Sequence, residues 1–157
     1  MRVAHLVYSL LSLLVFGASS AHAIDVGDVF WLSSNGTGLT VTGTGLAQPG
    51  VVRVDYKVLP ENASEFCQRY GQHVRGTPQH ANCVAGIIQN NRPRTALVNC
   101  STRVIVLDSG SFAKGDDHFW RSRSDPNSFV LGDELFAQLH TSDEYNWHCA
   151  TCGSNSQ

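Results

Sequence analysis

Lysine is almost absent from this 157-residue chain: only Lys57 and Lys114 carry ammonium groups, and the arginines between Arg53 and Arg123 are scattered. Displacing the counterions of a phosphate backbone takes clustered cations, so a nucleic-acid partner is not expected. Long apolar runs are missing too. The longest, Leu6 to Phe16, is about 11 residues, short of the roughly 20 that a membrane-spanning helix needs. Neither standard phosphate-cradling glycine loop occurs, since the glycines between Gly36 and Gly50 are irregularly spaced and lack the lysine.

What is present at the start has the pattern of an export signal. Arg2 precedes the apolar run, which is followed by small residues ending in Ala21-His22-Ala23, an A-x-A cleavage pattern. The expected organisation is a signal peptide over 1–23 cleaved after Ala23, one exported domain over 24–152, and a flexible tail over 153–157. Cleavage removes one Arg and no acid, so 11 cationic residues become 10 against 13 acids, a formal charge of −3. The expected location is periplasmic or secreted, with no membrane span left after cleavage.

Five cysteines in an exported chain read as a disulfide framework with one left over. Cys67 and Cys83 fall on or beside the apolar stripes of two expected helices, Glu61 to His73 and from Thr77-Pro78 to about Asn90. Pairing them staples an antiparallel helical hairpin. Cys100 is then expected to pair with Cys149 or Cys152. Cys149-x-x-Cys152 lies too near the end of the chain to open the long helix a redox motif requires. His140 and His148 with those two cysteines form a chemically sound zinc set, but an oxidising compartment favours disulfides over thiolate ligands, and no metal or cofactor is expected.

Around these elements, Val51 to Leu59 alternates apolar and polar residues in period two, the pattern of a half-buried strand. Thr95 to Asp108 reads as two central strands joined by a turn at Asn99–Thr102, and Ser109 to Asp117 as a polar loop. His118 to Arg121 reads as a further short strand. Leu131, Leu135, Phe136 and Leu139 mark a last helix. The fold class expected is α+β: a small antiparallel sheet with a disulfide-stapled helical hairpin and one further helix.

No catalytic constellation assembles. Asp108-Ser109-Gly110-Ser111 follows an apolar strand but lacks the flanking glycines and following helix of a nucleophile elbow. Trp120, Trp147 and Tyr145 are candidate aromatic binding residues, although such rings more often pack in a core. The expectation is a small exported non-enzymatic protein that binds a protein or cell-envelope partner, as accessory factor or inhibitor. The alternative is a small secreted hydrolase using His118 with Asp116 or Asp117.

Overall fold

The computed structural model describes residues 24–141 apart from 116 and 118. The segment read as a signal, 1–23, lies outside the described residues. Eight strands form one antiparallel meander: β1 (Val29–Phe30), β2 (Leu39–Gln48), β3 (Val51–Lys57), β4 (Arg94–Asn99), β5 (Val104–Leu107), β6 (Gly110–Lys114), β7 (Trp120–Ser122) and β8 (Phe129–Val130). Helices α1 (Pro60–Arg69) and α2 (Pro78–Asn90) are inserted between β3 and β4, and α3 (Asp133–Thr141) follows β8. The coarse α+β reading holds, but the sheet is the dominant element rather than a small one.

Strand alternation decides which side chains meet. Val52 pairs with Val98, Val54 with Ala96, and Tyr56 with Arg94, so these three pairs share one face of the sheet. All but Arg94 are buried. The same face continues through Val41 opposite Tyr56, Ile105 opposite Val98, and Phe112 opposite Ile105. The sheet curls around this apolar face until its two ends touch, where the Leu131 N–H donates to the Leu32 carbonyl at 2.9 Å. This bond ties the segment just past β1 to the segment just past β8. The other face is wet: Val106, in an apolar run expected to be buried throughout, is 41% exposed.

One edge of the curl is closed from below by α3. Leu135 and Leu139 enter the core, and Asp133 accepts hydrogen bonds from Lys114, at the end of β6, and from Trp120 Nε1, at the start of β7. The chain reaches α3 by passing directly over the Trp120 indole at Gly132, where a Cβ would stand 2.5 Å from Ile105 Cδ1 and 3.0 Å from the indole ring. Ile24, the first described residue, is also buried in this core.

Several expected elements are corrected. The polar loop over 109–117 contains β6, because Asp108 and Ser109 form a two-residue turn that brings Gly110 opposite Leu107. Gly110 takes φ +139°, a conformation a side chain would oppose. The threonine- and glycine-rich segment forms the ten-residue strand β2, which pairs with β1 only at Leu39 and Thr40 and carries register shifts against β3 between Val41 and Gly43 and between Leu46 and Gln48. Helix α1 stops at Arg69 instead of running to His73. Gly71 allows the chain to fold back so that the His73 N–H donates to the Cys67 carbonyl, and Val74, just past it, is 71% exposed.

The second helix starts where the sequence places it, with the Thr77 hydroxyl accepting from the His80 N–H and Pro78 in the first turn. Its stripe is less buried than expected, for Ala81 and Ala85 are exposed. Cys67 and Cys83 form the expected disulfide, with Cα atoms 6.1 Å apart. The pairing of the helices differs, however. Ser64 meets His80 and Cys67 meets Cys83, contacts that advance in the same sense along both helices. An antiparallel hairpin gives the opposite progression, so α2 crosses α1 instead of running back along it.

The bridge spans 16 positions, a loop whose closure removes roughly 3 kcal/mol of denatured-state entropy. The double variant C67A/C83A is expected to lose about that much stability in urea denaturation followed by circular dichroism. An unchanged midpoint would mean that the helix pair is held by packing alone.

Candidate functional site

In an antiparallel meander the ends of odd-numbered strands and the starts of even-numbered ones lie along one edge. The edge away from Asp133 and Trp120 holds a cavity of about 260 Å³. Its apolar wall comes from Leu32 after β1, Leu39 at the start of β2, Tyr56 near the end of β3, Leu107 at the end of β5, and Val130 in β8. Ser33, Thr37, Asn91 and Ser109 add polar groups, and Lys57, Arg92 and Arg94 add three cationic residues. Among the described residues no acid lies in the wall of this mouth, in a chain whose formal charge is −2.

Tyr56 and Arg94 are the cross-strand pair at the lip. The Tyr56 ring packs edge-on against Phe30, with centroids 5.4 Å apart, and the residue is only 3% exposed. Its hydroxyl nevertheless has no hydrogen-bond partner among the described residues, and it reaches the cavity rather than being sealed in the core. Burial pushes the phenol above its ordinary value of 10.0, opposed in part by the positive charge of Arg94. The phenol is therefore neutral, an O–H donor, across the physiological range. Among the described residues Arg94 has one charge partner, Asp108, at 4.0 Å across an exposed turn.

A second polar cluster joins the two crossing helices. Ser64 Oγ lies 3.1 Å from His80 Nε2, and Gln68 and Arg75 also donate to Ser64 Oγ at 3.1 and 3.4 Å. A hydroxyl beside an imidazole is the minimum of a nucleophile and base. Here Ser64 lies inside a regular helix, and among the described residues no carboxylate orients the other nitrogen of His80. The arrangement satisfies a buried histidine and ties α2 to α1.

On the outer sheet face, Asp55 accepts from Arg53 and from the Thr95 hydroxyl at 2.5 Å, and these bonds hold its carboxyl below the usual range. This is a strand-to-strand tie on the wet side. Asn62 serves similarly for the helices: its carbonyl oxygen accepts from the Leu59 N–H and from the Thr40 hydroxyl at 2.6 Å, holding α1 to the back of β2.

The residues singled out in the sequence are dispersed. Trp120 is fully buried, with Nε1 donating to Asp133 and its ring against Phe136, so its place is in the core. Ser109 sits in a hairpin turn at the rim of the mouth. Asp117 is held by Arg121 and by the Phe119 N–H, with Arg121 lowering its pKa most. Asp116, His118, Tyr145 and Trp147 lie outside the described residues, as do His148, Cys149, Cys152 and the side chain of His140. Cys100 is itself disulfide-bonded. Among the described residues no group of three or more His, Cys, Asp or Glu could hold a metal, and no helix is long and apolar enough to cross a membrane.

The mouth escaped the sequence because Tyr56 and Arg94 become neighbours only through strand register, with two helices between them in the chain. The signal that pointed toward it was the inward phase of Val52, Val54 and Tyr56.

A raised folded-state phenol favours the protonated form, so its contribution to stability is complete below the ordinary value and is lost as pH rises past it. In a spectrophotometric titration at the phenolate band, the difference between wild type and Y56F is expected to titrate above pH 10. A difference that titrates at or below that value would place Tyr56 in open solvent. No protein-family model matches the chain, and no curated protein or solved structure matches it.

Proposed function

We propose that this chain is a small exported non-enzymatic protein that binds a protein or cell-envelope partner, and that the mouth of the curled sheet receives a group from that partner. The observation that carries the reading is a cavity with an apolar wall and a cationic lip in a chain of net negative charge. Ligand sites are concave, mostly apolar and supplied with a few polar groups, and barrel mouths are a preferred location. The Cys67–Cys83 disulfide fits an oxidising compartment. The A-x-A pattern before Ile24 supplies the route there, and cleavage after Ala23 would leave Ile24, already a core residue, at the new terminus.

A binding role also accounts for what surrounds the mouth. Trp31 and Tyr70 are partly exposed beside it, with Phe66 tilted against the Tyr70 ring and Arg69 over it. Exposed aromatic and arginine side chains next to a pocket have the composition of a recognition surface.

The test is a photoreactive residue placed at Ser109, on the rim, compared with one at Gln48, at the far end of β2. In exporting cells, irradiation is expected to give a discrete adduct from position 109 and none from position 48. Equal labelling at both positions, or none at either, would contradict a partner at the mouth.

A further inference from the structure

We propose that the mouth is selective for an apolar carboxylate, bound with its anionic group between the Tyr56 hydroxyl and the Arg94 guanidinium and its apolar body against Leu39 and Leu107. This rests on the binding role above and specifies its chemistry. The strongest indication is Tyr56. A side chain this deeply buried normally has its hydroxyl paired, because an unpaired buried polar group costs about 1–3 kcal/mol. Here the ring packs on Phe30 at the cavity wall, and the hydroxyl has no partner among the described residues.

The charge of the lip sets the sign of the ligand. Lys57, Arg92 and Arg94 line the cavity with no acid among its described lining residues, so an anion is attracted and a cation repelled. Arg94 stands opposite Tyr56 across the β3–β4 ladder, on the same sheet face. Its planar fork suits a carboxylate, and a neutral phenol can complete the set as a third donor. Hydrogen bonds of this charge-assisted kind are the stronger ones. The apolar wall argues against a bare inorganic anion, which would leave Leu39 and Leu107 facing water.

Size bounds the ligand as well. A cavity of about 260 Å³ falls just below the roughly 300–1,000 Å³ of pockets that take a drug-sized ligand, so the inserted part is small. A short-chain acid meets that bound, and so does the last residue of a polypeptide with a leucine-like side chain. Both present the same chemistry.

The experiment is a titration of the uniformly labelled protein, read from amide and Tyr56 ring resonances, with hexanoate, hexan-1-ol and inorganic phosphate as separate probes. Hexanoate is expected to bind in the millimolar range, about tenfold more tightly than hexan-1-ol or phosphate, with shifts concentrated at Tyr56, Arg94 and Leu107. Y56F keeps the ring and its packing but removes the donor, and it should weaken hexanoate about tenfold, as should R94Q. R53Q removes the same charge from the outer face and should bind as wild type does, which separates the site from net charge.

Equal affinity for hexanoate and hexan-1-ol would remove the carboxylate selectivity while leaving the mouth a binding site. Phosphate binding as tightly as hexanoate, or R53Q weakening binding as much as R94Q, would also overturn the proposal. No probe perturbing the mouth would remove the binding role too. Gly-Gly-Leu compared with its C-terminal amide identifies the source: preference for the free acid assigns a polypeptide terminus, and hexanoate binding without the peptide assigns a small acid, the carboxylate standing in either case.

Discussion

The interior of this molecule depends on the phase of the β3–β4 ladder. Three consecutive inward pairs, Val52 with Val98, Val54 with Ala96 and Tyr56 with Arg94, lead from a dry core to a polar lip within one pair of strands. Side-chain direction alternates with period two, so a slip of one residue would turn Asp55 and Thr95 inward and send the core valines to water. The hydrophobic penalty for that slip fixes the register. The fixed register in turn sets a phenol beside a guanidinium at the open edge.

Curling gives this ladder its consequence. On a flat sheet the inner face would need covering by helices, yet α1 and α2 sit behind β2, tied by Asn62 to Thr40, and bury little of it. The sheet instead covers itself, and α3 seals one edge through Leu135, Leu139 and the bond from Trp120 to Asp133. With α3 at one edge, the cavity lies at the other. The disulfide belongs to the inserted helices, whose own buried surface is small. A covalent tie there stabilises a part of the chain that the main core does not reach.

Legibility in the sequence followed the range of the forces involved. Thr77-Pro78 announced α2, the alternation from Val51 announced β3, and the stripe through Leu135 and Leu139 announced α3, because capping and periodicity are local. Strands β6 and β8 were not announced: their short runs pair only because the sheet has already curled to them. The crossing of α1 and α2 was within reach once the bridge was assumed, for Ser64 and His80 each lie one turn before a bridged cysteine. The antiparallel assumption hid it. The mouth required register across an insertion of two helices, which no spacing in the chain encodes.

The most direct measurement of this account is the set of nuclear Overhauser contacts made by the Tyr56 ring protons in the native protein. Contacts to Phe30, to the Leu39 and Leu107 methyl groups and to the Arg94 side chain are the predicted result, since all of them line the inner face at one edge. Contacts from Asp55 or Thr95 side chains into that same apolar group, with the Tyr56 ring facing solvent, would contradict the register and, with it, the site.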